Sequence, residues 1–467
     1  MKQFFRRKQY RTHEGQFERK LGLIDLTALG IGAIIGGGIF VIIGPAAATK
    51  AGPGIIVSFL LGAITIGISA LVYAELSSAY PISGSAYSYT YISLGEGIAW
   101  IVAWELLLEY GIATAAVATG WSGYFRRFIE ENFLIVIPKE LSGPLNPHAG
   151  TYIDICAFTA VVVIFALLTL GIRASASVNK FIVALKLIVL GIFIVFAAPH
   201  IDLGNLYPFL PFGWDGVWKA SSLIIFAYLG FDAVSTVAEE TKNPLKTVPW
   251  GLVLSLGVST ILYMAVSVTL LAMVPYDKLN VPDALAYAMF QVKEPVAGTM
   301  IALGAVLTIT SVMMVMGLGF TRIVYALARD GLLFKQLEAV HPKFKTPYKA
   351  TILGGALLAV MAGLVPLGVL AELVNIGTLF AYFMVGIAVI LVRRRGEVKP
   401  LFRVPMAKLL LPLNLGLLLF IMAGLPAQTW LRFIVWSGIG LIIYFLYGRS
   451  HSRIHHDEPP PIDLAER

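Results

Sequence analysis

The chain is poor in the residues that soluble chemistry relies on. Only 13% of its 467 residues are charged, seven are histidine and one is cysteine. A lone cysteine excludes an internal disulfide, and Cys156, set in an apolar run, reads as a small packing residue. No polar stretch is long enough for a soluble domain. At the N-terminus, residues 1–20 are basic but lack the short apolar core and small-residue cleavage site of a signal peptide, so they read as a retained tail. What remains is hydrophobic, at 58% of residues. The apolar residues gather into runs of the roughly 20 needed to cross a bilayer. Twelve such runs lie near residues 21–49, 54–79, 98–125, 153–171, 180–199, 218–238, 249–274, 296–326, 350–367, 369–392, 408–425 and 428–448. The expectation is an all-α membrane protein with twelve transmembrane helices.

Charge placement gives an orientation. With the N-terminus inside, 26 of the 35 Lys and Arg residues fall on the cytoplasmic side and eight outside. That bias follows the positive-inside rule and predicts cytoplasmic N- and C-termini in the cell membrane. It also accounts for the net charge of +8. No nucleic-acid partner is needed.

The first run carries Gly36, Gly37 and Gly38 in succession at its middle. Each glycine costs about 1 kcal/mol against alanine inside a helix, so three predict a break. Bare N–H and C=O groups at bilayer depth are tolerated only where they line a cavity or meet a ligand. The sixth run repeats the anomaly with Gly230 and the charged Asp232. Matched breaks in two five-span halves point to inverted repeats with a binding site between them, as in secondary transporters.

Buried charges are the second signal. Lys186 stands within the fifth run, where a lysine costs roughly 2.5–3.5 kcal/mol on insertion scales. It serves either as a structural cation that ion-pairs or caps carbonyls of a broken helix, or as a group that exchanges its proton as access alternates. Asp232, Glu105 and Glu109 are its candidate partners. Glu105 and Glu109, four apart, share a face of the third span. They are either packing residues or part of a pathway. Glu75, Glu239 and Glu240 read as solvated or salt-bridged residues at cytoplasmic ends.

Other classes fit poorly. His13, His148, His200, His341, His451, His455 and His456 all lie outside the runs, which excludes a Ser–His dyad at depth. The sixth run reads LGFD, a poor match to the GxGD of membrane aspartyl proteases. Gly30, Gly32 and Gly36 are spaced one residue too long for a dinucleotide fingerprint. A channel stays open as an alternative, because broken helices also line pores.

Four motifs in order carry a resemblance. GIGAIIGGGIFVIIG, YPISGSAYSYTYISLGE, FAYLGFDAVSTVAEETKNPLKTVPWG, and GFTRIVYALARDGLL followed by HPKFKTP resemble the amino acid-polyamine-organocation superfamily, within it most the cationic amino acid transporter branch, here in a bacterial form. The resemblance covers residues 21–395. It implies the five-plus-five inverted-repeat fold of the leucine-transporter type with two extra C-terminal helices. The boundaries are then a cytoplasmic tail 1–20, repeats 21–199 and 200–395, an added pair 396–448 and a cytoplasmic tail 449–467.

Carried over residue by residue, the resemblance implies a site for an amino acid. N–H groups of Gly37, Gly38 and Ile39, with Gly36 opening the loop, receive the carboxylate at a half-helix N-terminus. Carbonyls of Phe226, Ala227 and Leu229 beside Gly230 receive the α-ammonium, with Phe226 as an aromatic gate. Lys186 stands where proton-coupled members carry a lysine instead of sodium, with Asp232 as a second coupling residue and Glu105 and Glu109 as pathway candidates. Of Met313, Met314 and Met316, Met316 is expected to wall the side-chain pocket and favour small substrates. The implied activity is proton-coupled symport of L-amino acids, alanine-like neutral ones first, with cationic amino acids or exchange as alternatives. Partners are the amino acid, protons and the bilayer; no cofactor or metal is expected, and a small membrane partner is not predictable.

Overall fold

The computed structural model describes residues 4–7, 21–80, 85–171, 176–236, 241–396, 398, 400 and 402–453. Parts of the motifs and charges read above, including residues 81–84, Arg173, Glu239 and Glu240, lie outside them. Among the described residues the chain is helical, with isolated bridges such as Leu21 to Thr241 but no strand. The longer helices are α1 (Leu23–Ile34), α2 (Ile55–Ala79), α3 (Ser85–Ser93), α4 (Glu96–Leu107), α5 (Ala113–Phe133), α6 (Ile155–Thr169), α7 (Ala176–Ala197) and α8 (Gly213–Ile224). They continue with α9 (Pro244–Met273), α10 (Ala284–Gln291), α11 (Pro295–Arg329), α12 (Tyr348–Leu364), α13 (Leu367–Arg395), α14 (Ala407–Ala423) and α15 (Ala427–Ile443).

Among the described residues, eight helical stretches are long and apolar enough to cross a bilayer, and α6, α12 and α14 are shorter apolar helices. The first stretch, Leu23–Ala79, has 57 residues. As one straight helix it would run about 85 Å at 1.5 Å per residue, nearly three hydrocarbon thicknesses. A turn at Gly52–Gly54 divides it. Exposed side chains are apolar on the outer helices, for example Ile188 and Val195 on α7 and Ile434 and Ile442 on α15. That surface suits lipid and would be costly in water.

The helices pack in two groups. In one, α1 and α2 both lie against α9, and α2 also lies against α8. In the other, α5 packs on α11, α6 on α12, and α5 on α6. α7 bridges them by touching α1, α9 and α11. Each group draws on both halves of the chain.

Buried ionic contacts fix the ends. Glu75 is buried on α2, where Arg393 of α13 donates to it through Nε at 2.6 Å and Nη2 at 2.5 Å, and Val404 N donates at 2.7 Å. The expectation of a salt-bridged Glu75 holds. Glu96, at the start of α4, gathers both chain ends. Its carboxylate accepts from Tyr91, Tyr444 and Ser452 at 3.0, 2.9 and 2.6 Å. The backbone N–H groups of Glu96 and Gly97 donate to Arg6 O and Phe4 O, each at 2.9 Å.

Candidate functional site

The first break falls one residue earlier than the glycines alone suggest. α1 ends at Ile34, and Ile35 leaves the helix with φ −74° and ψ 103°. Ile35 and Gly36 form the bend, Gly37 is already right-handed helical with φ −53° and ψ −29°, and a wide π turn follows over Gly38–Ile42. Gly38 is therefore helical, which corrects its expected place inside the opening. Its lack of a side chain serves packing, since a Cβ there would run into the backbone of Ala227. The first N–H groups of a resumed helix have no partner within that helix. Here they belong to the residues read from the sequence as an anion cradle.

The second break follows α8. Ile225–Tyr228 tightens into a 3₁₀ turn, Leu229 is extended with φ −58° and ψ 147°, and Gly230 takes φ +88°. That left-handed value is strained for any residue with a Cβ and easy for glycine. A short helix, Ala233–Thr236, resumes beyond it.

The two breaks meet. A Cβ on Gly38 would strike Ala227, one on Gly37 would come within 3.1 Å of Phe226 Cε1, and one on Gly230 within 3.0 Å of Ala33 O. The hydroxyl of Tyr263 on α9 lies 2.8 Å from Ile34 O and 2.9 Å from Ala227 O. Asn375 on α13 donates from Nδ2 to Ser222 O at 2.8 Å and Leu223 O at 2.9 Å, holding the last turn of α8. Val312 of α11 faces Gly36 and Val117 of α5 faces Gly37. Met316 is buried one helical turn beyond Val312, on the same face. Met313 lines a separate apolar crevice of about 300 Å³ with Trp121 and Phe125.

Lys186 is 1% exposed and donates from Nζ to Gly32 O at 2.6 Å. It therefore sits one turn before the first break. No carboxylate of the described residues lies within 4.0 Å of it, so the expected pairing with Asp232, Glu105 or Glu109 is replaced by a backbone carbonyl. Asp232 instead accepts from Tyr110 Oη at 3.4 Å and lies within electrostatic reach of Glu109, Tyr73 and Tyr382. Glu105 accepts from Ser437 of α15 at 2.7 Å. Glu109 and Asp232 are thus like-charged neighbours. A π turn, Leu108–Ile112, begins between the two glutamates. Both still border α13, where Glu105 reaches Gly377 and Glu109 reaches Thr378.

Sequence reasoning missed Tyr263, Val117, Val312 and Asn375. For Tyr263 and Asn375 a signal existed: each is a polar group in a long apolar helix, and a buried hydroxyl or amide needs a partner. The valines gave none, because nothing separates them from ordinary packing residues.

Interrupted helices that meet inside a helical membrane bundle define the construction of a membrane transporter. Residues 21–448 match the amino acid permease family, and the chain belongs to it. It is 43% identical to the methylthioribose transporter of Bacillus subtilis (strain 168), covering 97% of this chain and 100% of that protein. It is 44% identical to a branched-chain amino acid permease of the same organism, covering 95% and 96%. A vacuolar cationic amino acid transporter of Arabidopsis thaliana is 36% identical over 82% of this chain and 61% of that protein. The resemblance read from the motifs is borne out, and these relatives are permeases and transporters, not enzymes.

Proposed function

We propose that the chain is a proton-coupled symporter of neutral L-amino acids, small ones such as alanine first, with broad tolerance. The observation that carries this reading is the contact of Gly38 with Ala227, which sets a half-helix N-terminus against a half-helix end rich in released carbonyls. The helix dipole favours an anion at the first and a cation at the second, so a zwitterion fits across them. N–H groups of Gly37, Gly38 and Ile39 take the carboxylate; carbonyls of Phe226, Ala227 and Leu229 take the ammonium, with Phe226 closing over it. Lys186, bonded to the carbonyl of Gly32, gains and loses the coupling proton, and Asp232 assists. Met316 walls the side-chain pocket, with Glu105 and Glu109 along the pathway.

The same reading takes the fold as twelve crossings in five-plus-five inverted repeats, 21–199 and 200–395, with an added pair, 396–448. Support comes from the two breaks and from helix groups that each draw on both halves. The tails, 1–20 and 449–467, face the cytoplasm in the cell membrane, as the basic residues favour.

A second reading is transport of basic amino acids. It is favoured by Glu109 and Asp232 together beside the second break, and by the cationic amino acid transporter relative. One experiment separates the readings. In proteoliposomes, labelled L-alanine uptake is expected to saturate and to accelerate with an inward proton gradient, with leucine competing better than arginine and methylthioribose not competing. Linear, non-saturating flux would mean a channel. Preferential competition by arginine would favour the second reading.

A further inference from the structure

Tyr263 touches both breaks, and the transport reading above gives it no work. Its side chain is fully enclosed on α9, with the hydroxyl 2.8 Å from Ile34 O and 2.9 Å from Ala227 O. Both carbonyls are released by the breaks. In continuous helices they would accept from the N–H groups four residues on, at Gly38 and Phe231. A phenol has one hydrogen, so two acceptors share a single donor.

The ring itself is held. Phe59 and Tyr228 flank it, each with centroids 5.6 Å from the Tyr263 ring, and Tyr228 is tied to Phe59 O at 2.9 Å. The hydroxyl can change partner by turning its O–H bond while the ring stays in place. Ala227 O is also one of the carbonyls that the proposed function gives to the substrate ammonium, and the inference rests on that assignment.

We propose that Tyr263 is a positioning residue that passes its hydrogen bond from the second break to the first when substrate binds. Without substrate the hydroxyl divides its one hydrogen between Ala227 O and Ile34 O. An arriving ammonium donates to Ala227 O and releases the hydroxyl to Ile34 O, which firms the end of α1 just before the glycine bend. Departure of the ammonium returns the hydrogen. Only hydrogen bonds exchange, so no covalent bond is made or broken. The tyrosine thereby reports occupancy of one broken helix to the other.

The test uses the full-length protein with Tyr263→Phe, which keeps the ring packing. Binding of L-alanine and L-leucine is measured on purified protein, and net uptake and counterflow exchange in proteoliposomes. The hydroxyl keeps one hydrogen bond with or without substrate, so its loss is expected to change Kd by less than about threefold. Exchange is expected to slow at least as much as net uptake, because it is the loaded carrier that lacks the donor on Ile34 O, and in the variant L-leucine is expected to leave amide hydrogen exchange over residues 31–35 unchanged. Protection of 31–35 by L-leucine in the variant as in the wild type, or binding weakened more than tenfold, overturns the relay. Wild-type protein alone supplies a second readout if the variant does not fold. L-leucine is expected to slow amide hydrogen exchange over residues 31–35 as well as 37–39, and protection confined to 37–39 overturns the relay. Should the wild type bind no amino acid at all, the transport reading fails first and the relay with it.

Discussion

Lys186 is a buried lysine bonded to a carbonyl oxygen with no carboxylate of the described residues beside it, and that sets it apart from the ion-paired lysines elsewhere in the chain. Lys180, by contrast, pairs with Asp25 at 2.8 Å near the start of α1. Lys186→Ala is expected to abolish accumulation driven by a proton gradient while leaving amino acid binding measurable; accumulation at the wild-type level would remove its coupling role. At the pocket wall, Met316→Ser is expected to widen the size range of competing amino acids, and an unchanged competition panel would remove that assignment. Single residues were legible where chemistry clashed with surroundings. Lys186 stood out because a charge in an apolar run is expensive, whereas its partner, Gly32 O, is a backbone atom that no residue pattern reveals. Tyr263 signalled only that a buried hydroxyl needs a partner; that its partners are Ile34 O and Ala227 O, backbone atoms of two other helices, no residue pattern reveals.

Between elements, glycines divide into those that permit contact and those that merely weaken a helix. Gly38→Ala would drive a methyl group into the Ala227 backbone, which cannot step aside. A loss of about 1–3 kcal/mol and of transport is expected. Gly230→Ala would be strained at φ +88° by about 1–2 kcal/mol. Gly257, on the exposed side of α9 with nothing near its missing Cβ, is the control. Gly257→Ala is expected to raise stability by up to about 1 kcal/mol. Thermal melting of the purified variants checks all three signs. That the helices break was readable from glycine clustering. The register was not, because Gly38 is drawn back into helix by packing against Ala227. Nor were the π turns at Gly38–Ile42 and Leu108–Ile112 readable. One widened turn barely disturbs an apolar periodicity that is apolar all round, so the regrouping of Glu109 with Asp232 could not be foreseen.

Over the whole molecule, an all-helical chain apolar enough to cross a membrane many times followed from composition, since bilayer thickness imposes a length on every crossing. Which helices pack together did not, because a helix apolar on all sides shows no buried face. The joining of both chain ends at Glu96 was equally invisible, as it depends on residues more than 300 positions apart. Glu96→Ala would strand three hydroxyl donors at about 1 kcal/mol each. The expected result is a lower melting temperature and faster proteolysis at both termini; a variant as stable and as protease-resistant as the wild type would show that the junction holds nothing.

Two broken helices face each other, and the proposed function has them grip opposite ends of one small molecule. The most direct measurement is competition against bound labelled L-alanine by three relatives of leucine: the amino acid itself, its methyl ester and the deaminated acid. Leucine is expected to displace the label, while the ester, without a carboxylate for Gly37 and Gly38, and the acid, without an ammonium for Ala227, fail to. Displacement by the ester or the acid at concentrations where leucine also works would contradict the account.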